Sequence, residues 1–91
     1  EEGKKCAELG ADVISTTLAG YTLESENSPE GPDYELLEAL VQNIEKPVIL
    51  EGRIWEPQEV KKAFALGAHC VVIGSAITRP QLITKRFVEG I

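Results

Sequence analysis

The centre of the sequence reads Pro47-Val48-Ile49-Leu50-Glu51-Gly52-Arg53, an apolar run that stops at an acidic residue and a glycine. Two further runs are of the same kind, Asp12-Val13-Ile14-Ser15-Thr16-Thr17 and Cys70-Val71-Val72-Ile73-Gly74. They are rich in β-branched residues and nearly continuous in hydrophobicity, which is typical of parallel strands covered on both faces. We therefore predict strands near residues 12–17, 47–51 and 70–74.

Helical patterns follow each of these strands. Asp33 suits an N-cap, and apolar residues recur at helical spacing after it as far as Ile44. Pro57 suits the first turn of a second helix. In a third, Thr78 and Gln81 are interpreted as a capping box, and one face carries Ile83, Phe87 and Ile91. The pattern predicts helices near residues 33–44, 57–66 and 79–90.

One short motif occurs twice, as Leu9-Gly10-Ala11 and as Leu66-Gly67-Ala68, each time shortly before a predicted strand. Glycine at a helix end can adopt positive φ, so both motifs predict a helix that stops there. Alternating strands and helices indicate βαβ units and an α/β fold.

Three parallel strands cannot close a barrel, and an open sheet of three strands leaves two bare edges. The chain is therefore expected to be a piece of a longer protein or to assemble with other chains. We favour the piece.

Composition excludes some partners. The net charge of -6 argues against nucleic acid and against an anionic membrane surface. No apolar run approaches the roughly 20 residues that span a bilayer, and we expect a cytoplasmic protein. Cys6 and Cys70 have no CxxC spacing and are interpreted as two buried, free thiols. No metal site is predicted.

The segment from Ala19 to Pro32 has no apolar periodicity and carries two prolines, two glycines and three glutamates. A long loop directly after a strand is a usual place for an active-site lid. An exposed acidic connection without a role is the alternative.

Glycines and arginines follow the last two predicted strands. Gly52 and Arg53 come after the second, and Gly74 and Ser75 come after the third, with Arg79 beyond them. Backbone N–H groups at such turns can approach an anion closely, and an arginine can bind a phosphate with two hydrogen bonds. We predict a phosphate site here. Glycines that serve only tight turns are the alternative.

Glu51 ends its strand immediately before a glycine. A carboxylate is costly in a packed core without partners, whereas at the end of a strand it can act as a general acid or base. An ion pair with Arg53 or Arg79 is the other interpretation. At the end of the first strand Thr17 and Tyr21 belong to a cluster of hydroxyl residues that we predict to contact a sugar; β-propensity alone also explains such threonines.

Three motifs resemble the N-acetylmannosamine-6-phosphate 2-epimerase family over nearly the whole chain. The first run, extended from Gly10 to Thr22, is similar to the sixth-strand region of that family. Residues 47–54 are similar to its seventh strand, and residues 71–80 to its eighth strand and following turn.

The resemblance implies the last three strands of a (β/α)₈ TIM barrel. It also implies interconversion of N-acetylmannosamine 6-phosphate and N-acetylglucosamine 6-phosphate by proton transfer at C2, with no nicotinamide and no obligatory metal. Glu51 and Arg79 match active-site residues, and Gly52, Arg53, Gly74 and Ser75 match the phosphate-binding turns. The family's proton-transferring lysine lies on earlier strands, so the isolated chain is expected to be inactive.

Two alternatives stay open from the residues. One is another phosphate-binding barrel, such as a thiamine-phosphate or indole-glycerol-phosphate synthase. The other is a half-barrel that binds a sugar phosphate without catalysis, with the remaining strands or a homo-oligomeric partner completing it.

Overall fold

A computed structural model of the chain describes residues 1–17 and 31–91. The elements in chain order are α1 (Glu2–Glu8), β1 (Ile14–Ser15), α2 (Tyr34–Asn43), β2 (Val48–Glu51), α3 (Pro57–Ala65), β3 (Cys70–Val72), α4 (Ser75–Thr78) and α5 (Pro80–Glu89). Most of the loop predicted from Ala19 to Pro32, including Tyr21, lies outside the described residues.

The three strands form one parallel sheet in the order β1-β2-β3. The predicted α/β class with a parallel sheet is thereby confirmed. Ile14 pairs with Val48, and Glu51 pairs with Val72. The strand order follows the chain order. Because crossovers between parallel strands are right-handed, the helices that connect these strands lie on the same face of the sheet.

The core lies between the sheet and these helices. Val48 and Leu50 point toward them and are 2% and 0% exposed. The remaining buried apolar residues come from β1, from α2 and its end, from α3 and from the segments that follow β2 and precede β3: Ile14, Leu37, Leu40, Ile44, Ile54, Ala63 and Ala68. Asp33 caps α2 as predicted, because its Oδ1 accepts a hydrogen bond of 3.0 Å from the N–H of Leu36.

Alternate residues of each strand point to the opposite face. We call it the uncovered face; it carries Ser15 and Thr17 from β1 and its end, Ile49 and Glu51 from β2, and Cys70 and Val72 from β3. Val72 is 41% exposed. The near-continuous hydrophobicity of the strands led us to expect cover on both sides, but within the described residues the helices cover one.

Two helix ends follow the repeated glycine motif. Gly10 and Gly67 both have φ of +103°. After α1, the N–H of Gly10 donates to the C=O of Ala7, and the N–H of Ala11 donates to the C=O of Cys6. After α3, the N–H groups of Gly67 and Ala68 make the same two bonds, to Phe64 and Ala63. This is the Schellman arrangement, so the prediction of helices that stop at positive-φ glycines is confirmed.

Thr16 joins β1 to β2 where their backbone pairing ends. Its hydroxyl accepts from the Glu51 N–H at 3.0 Å and donates to the Glu51 C=O at 2.9 Å. The side chain is 2% exposed. A single buried hydroxyl thus continues the ladder and fixes the backbone of Glu51.

The C-terminal helices differ from expectation. The N-cap of α5 is Arg79, and the Thr78 hydroxyl donates backward to the Gly74 C=O at 3.0 Å, so the predicted Thr78–Gln81 capping box is wrong. No residue of α5 is buried, and Phe87 on its predicted apolar face is 76% exposed.

The interpretation of two buried cysteines is also wrong. Cys6 lies exposed on α1, and Cys70 is only partly buried on the uncovered face; neither is in a disulfide. In the described part of the chain, no helix combines the length and hydrophobicity needed to cross a bilayer.

Gly67→Ala is expected to destabilise the protein more than Gly10→Ala. Both replacements put a β-carbon on a positive-φ residue, which costs about 1–2 kcal/mol. At position 67 the new carbon would also lie 2.8 Å from Val41 Cγ1, whereas at position 10 no atom of the described residues lies within 4 Å, apart from the chain neighbours. Urea unfolding of the two variants measures the difference, and equal losses would show that the contact with α2 is not close.

Thr16→Val should lower the free energy of unfolding by about 1–3 kcal/mol, because two backbone groups of Glu51 lose a buried partner while side-chain shape is kept. Thr78→Val is the matched control. Its hydroxyl is exposed and water can replace it, so its effect should stay within about 0.5 kcal/mol. Similar stability of both variants in urea unfolding would contradict the bridging role of Thr16.

Candidate functional site

The register of the sheet brings the two predicted glycine turns together. Glu51 is the last residue of β2 and pairs with Val72, the last residue of β3. The turns that begin at Gly52 and at Ile73 therefore leave neighbouring strands at the same edge of the sheet. This adjacency is the first condition for one anion to meet both turns.

The turn after β2 is tight. Gly52 has φ of +109° and Arg53 has φ of +58°; Arg53 is the residue other than glycine with positive φ in residues 1–17 and 31–91. The Nε and Nη2 atoms of Arg53 are buried. The turn thus folds the guanidinium into the protein at this end of the sheet, and the chain then enters the core at Ile54, which is 5% exposed.

The turn after β3 is open. Gly74 is the N-cap of α4, and Ser75 is its first residue. In the described part of the chain, no atom beyond its chain neighbours lies within 4 Å of the place where a β-carbon on Gly74 would be. The space beside the residue is available to a ligand, which is the second condition for a close approach of an anion.

The Glu51 carboxylate lies on the uncovered face, pointing away from the helices. Its Oε2 atom accepts a hydrogen bond of 2.6 Å from the Thr17 hydroxyl and also lies within hydrogen-bond distance of the Ser15 hydroxyl, at 3.2 Å. The two hydroxyl oxygens are 2.8 Å apart. The two hydroxyl oxygens and Glu51 Oε2 therefore form a compact triangle of three oxygens.

Thr17 was predicted to contact a sugar, and in this structure its hydroxyl contacts Glu51. Ser15 was not predicted as a site residue. The alternation of side chains in a strand could have indicated it, because residues 15 and 17 point the same way. The signal was incomplete, since only the β1–β2 register shows which residue of β2 lies beside them.

Among residues 1–17 and 31–91, the ion pairs found do not join Glu51 to Arg53 or Arg79. They join Lys85 to Glu89 at 3.7 Å and Arg86 to Glu56. Arg79 lies at the start of α5, one short helix beyond Gly74, and is exposed. Of the predicted site residues, Tyr21 alone lies outside the described part of the chain.

A cleft of about 440 Å³ lies apart from this cluster. Trp55 lines it together with the ion pair of Glu56 and Arg86. The other lining residues are apolar and come from the turn after β2, from α3, from the end of β3 and from α4: Ile54, Pro57, Val60, Ile73, Ala76 and Ile77. Ser15, Thr17 and Glu51 are not among its lining residues. Trp55 thus belongs to an apolar cleft that is separate from the carboxylate.

Comparison with known proteins gives a consistent result. A sequence model of the family described as "Putative N-acetylmannosamine-6-phosphate epimerase" matches residues 1–91. Two relatives carry the corresponding 2-epimerase name. The protein of Caldanaerobacter subterraneus subsp. tengcongensis is 58% identical over 93 residues, and that of Clostridioides difficile strain 630 is 54% identical over 91. The matches cover 100% of this chain but 38% and 40% of the relatives.

A solved structure agrees. The N-acetylmannosamine-6-phosphate 2-epimerase from Clostridium perfringens superposes with a TM-score of 0.87 and is 53% identical in sequence. The superposition covers 99% of this chain and 39% of the other. The chain thus spans about two fifths of the length of the proteins it matches. On this sequence and structural similarity, it belongs to the N-acetylmannosamine-6-phosphate epimerase family.

Proposed function

We propose that the chain forms the last three strands of a (β/α)₈ barrel that acts as an N-acylglucosamine-6-phosphate 2-epimerase. The enzyme would interconvert N-acetylmannosamine 6-phosphate and N-acetylglucosamine 6-phosphate, in cytoplasmic breakdown of amino sugars and sialic acid. The strand order supports the barrel. In a doubly wound sheet the order reverses and helices lie on both faces, whereas β1-β2-β3 follow one another with helices on one face.

The observation that carries the proposal is the position of the Glu51 carboxylate. It lies at the C-terminal end of β2 and on the face without helices. In a closed barrel that face is the interior, and the C-terminal ends of the strands form the mouth where active sites are built. The carboxylate would therefore face a substrate that entered from the mouth.

The chemistry needs such a group. In the open-chain sugar the C2 proton is adjacent to the C1 carbonyl, so a base can remove it when the resulting enolate is stabilised. Inversion requires that a proton return to C2 on the opposite face. The lysine that the family resemblance assigns to earlier strands would serve as the proton-transferring partner of Glu51 in the completed barrel.

The two turns would hold the phosphate. Gly52 and Arg53, Gly74 and Ser75 leave neighbouring strands at the same edge, and open space lies beside Gly74. Arg79 would add a charged contact, and Tyr21 a contact to the sugar. Binding the phosphate far from C2 orients the reacting carbon without obstructing it.

A barrel completed with known parts tests the proposal. In the chimera, residues 1–91 replace the matching segment of the Clostridium perfringens epimerase, which is 39% of that chain. Interconversion of the two sugar phosphates is expected. A chimera that binds the sugar phosphate but does not interconvert the epimers would favour the non-catalytic half-barrel instead.

Glu51→Gln in the chimera should reduce turnover by about 10²–10⁴-fold and leave affinity for the sugar phosphate nearly unchanged, because the amide keeps the shape but cannot accept the C2 proton. Exchange of the C2 proton in D₂O, followed by NMR, measures turnover. Glu45→Gln, an exposed residue between α2 and β2, is the matched control. Unaltered exchange in the Glu51 variant would remove it from the mechanism.

Arg79→Ala should weaken sugar-phosphate binding about ten- to hundredfold, the loss expected for a hydrogen bond to a charged group, with a smaller effect on kcat. Arg86→Ala removes the same charge from the same helix, where its partner is Glu56, and should bind normally. Calorimetric titration compares the two. Equal affinities would show that Arg79 does not contact the phosphate.

A further inference from the structure

We infer that Ser15 and Thr17 are positioning residues for Glu51, acting as a hydroxyl relay that anchors one carboxylate oxygen and presents the other to the substrate. The inference rests on the proposed function. It assigns to Thr17 a role different from the sugar contact predicted for it, and a role to a residue that the sequence did not single out.

The proton count of the triangle gives the relay its direction. Each hydroxyl has one proton to donate, so two protons must serve three close oxygen–oxygen contacts when the carboxylate is ionised. Thr17 makes the shortest contact, 2.6 Å to Glu51 Oε2. Ser15 can donate to Thr17 at 2.8 Å or to Glu51 at 3.2 Å, and the shorter distance favours Thr17. The order is then Ser15 to Thr17 to Glu51.

The relay acts on a side chain that needs holding. A glutamate side chain has several rotatable bonds, and fixing it in one conformation has a cost in conformational entropy. The Thr16 hydroxyl already holds the backbone N–H and C=O of Glu51 by two hydrogen bonds. The consecutive residues Ser15, Thr16 and Thr17 therefore fix both ends of Glu51, its backbone from the covered face and its carboxylate from the uncovered one.

The anchored geometry separates the two carboxylate oxygens. Both hydroxyls reach Oε2, and within residues 1–17 and 31–91 no side chain donates to Oε1. In the proposed barrel, Oε1 is therefore the carboxylate oxygen left to face the substrate. Since a misplacement of about 1 Å can cost 10²-fold in rate, loss of the anchor should appear in kcat more than in substrate binding.

The test uses the chimera defined above. Thr17→Val keeps the side-chain shape and removes the donor, and it should lower kcat by about ten- to hundredfold with little change in KM. Thr17→Ser should restore most of the rate. Ser15→Ala should cost less than Thr17→Val, because Ser15 acts through Thr17. Thr84→Val, exposed on α5, should leave both parameters unchanged.

A double variant separates positioning from direct contact. Thr17→Val added to Glu51→Gln should lower the residual exchange rate no further, because no carboxylate is left to position. A further loss, or a rise in KM as large as the fall in kcat, would mean that Thr17 binds the substrate itself and would overturn the inference. So would wild-type kcat in Thr17→Val.

The same series tells the two hypotheses apart. If Glu51→Gln remains active, the proposed role of Glu51 is wrong, and the relay then positions no catalytic group. If Glu51→Gln is inactive and Thr17→Val turns over normally with unchanged thermal stability, only the relay is wrong.

Discussion

The constraint on which the described arrangement depends is the pair of hydrogen bonds between the Thr16 hydroxyl and the backbone N–H and C=O of Glu51. It extends the pairing of β1 and β2 by one step beyond the last backbone bridge. That step fixes the strand register at the end of the sheet. Because side chains alternate along a strand, the register also decides that Leu50 enters the core while Glu51 faces the opposite way. A slip by one residue would exchange a buried leucine for a buried carboxylate.

The same alternation divides the sheet into a structural and a chemical face. Toward the helices, Val48 and Leu50 contribute to an apolar core with α2 and α3. On the other face lie the hydroxyls and the carboxylate, which can remain there because each has polar partners. The buried apolar side chains and the clustered hydroxyl and carboxylate groups therefore come from neighbouring residues of the same short strands.

The helix ends keep this sheet in order. At Gly67 the chain leaves α3, and absence of a side chain lets the backbone lie against Val41 of α2. At Gly10 the same pattern of hydrogen bonds reverses the chain before β1. Tyr34 strengthens the junction of α2 and α3: its hydroxyl donates to the Glu59 C=O at 3.1 Å, and the Lys62 ammonium lies 4.3 Å from its ring centre. Burial, and then the charge of Glu59, raise the pKa of Tyr34.

Local pattern was enough to predict much of this protein from its sequence. Apolar runs located the strands, Asp33 and Pro57 marked where helices begin, and the repeated glycine motif marked where two of them end. These signals act over a few residues, through capping and backbone conformation, so they need no knowledge of distant contacts. The tight turn that buries part of Arg53 and the exposure of Cys6 and Phe87 depend on tertiary packing, which a local pattern does not give. The partnership of Ser15 and Thr17 with Glu51 depends on which residues meet across the sheet. Sequence neighbours carry no record of that register, and only the packed strands supply it.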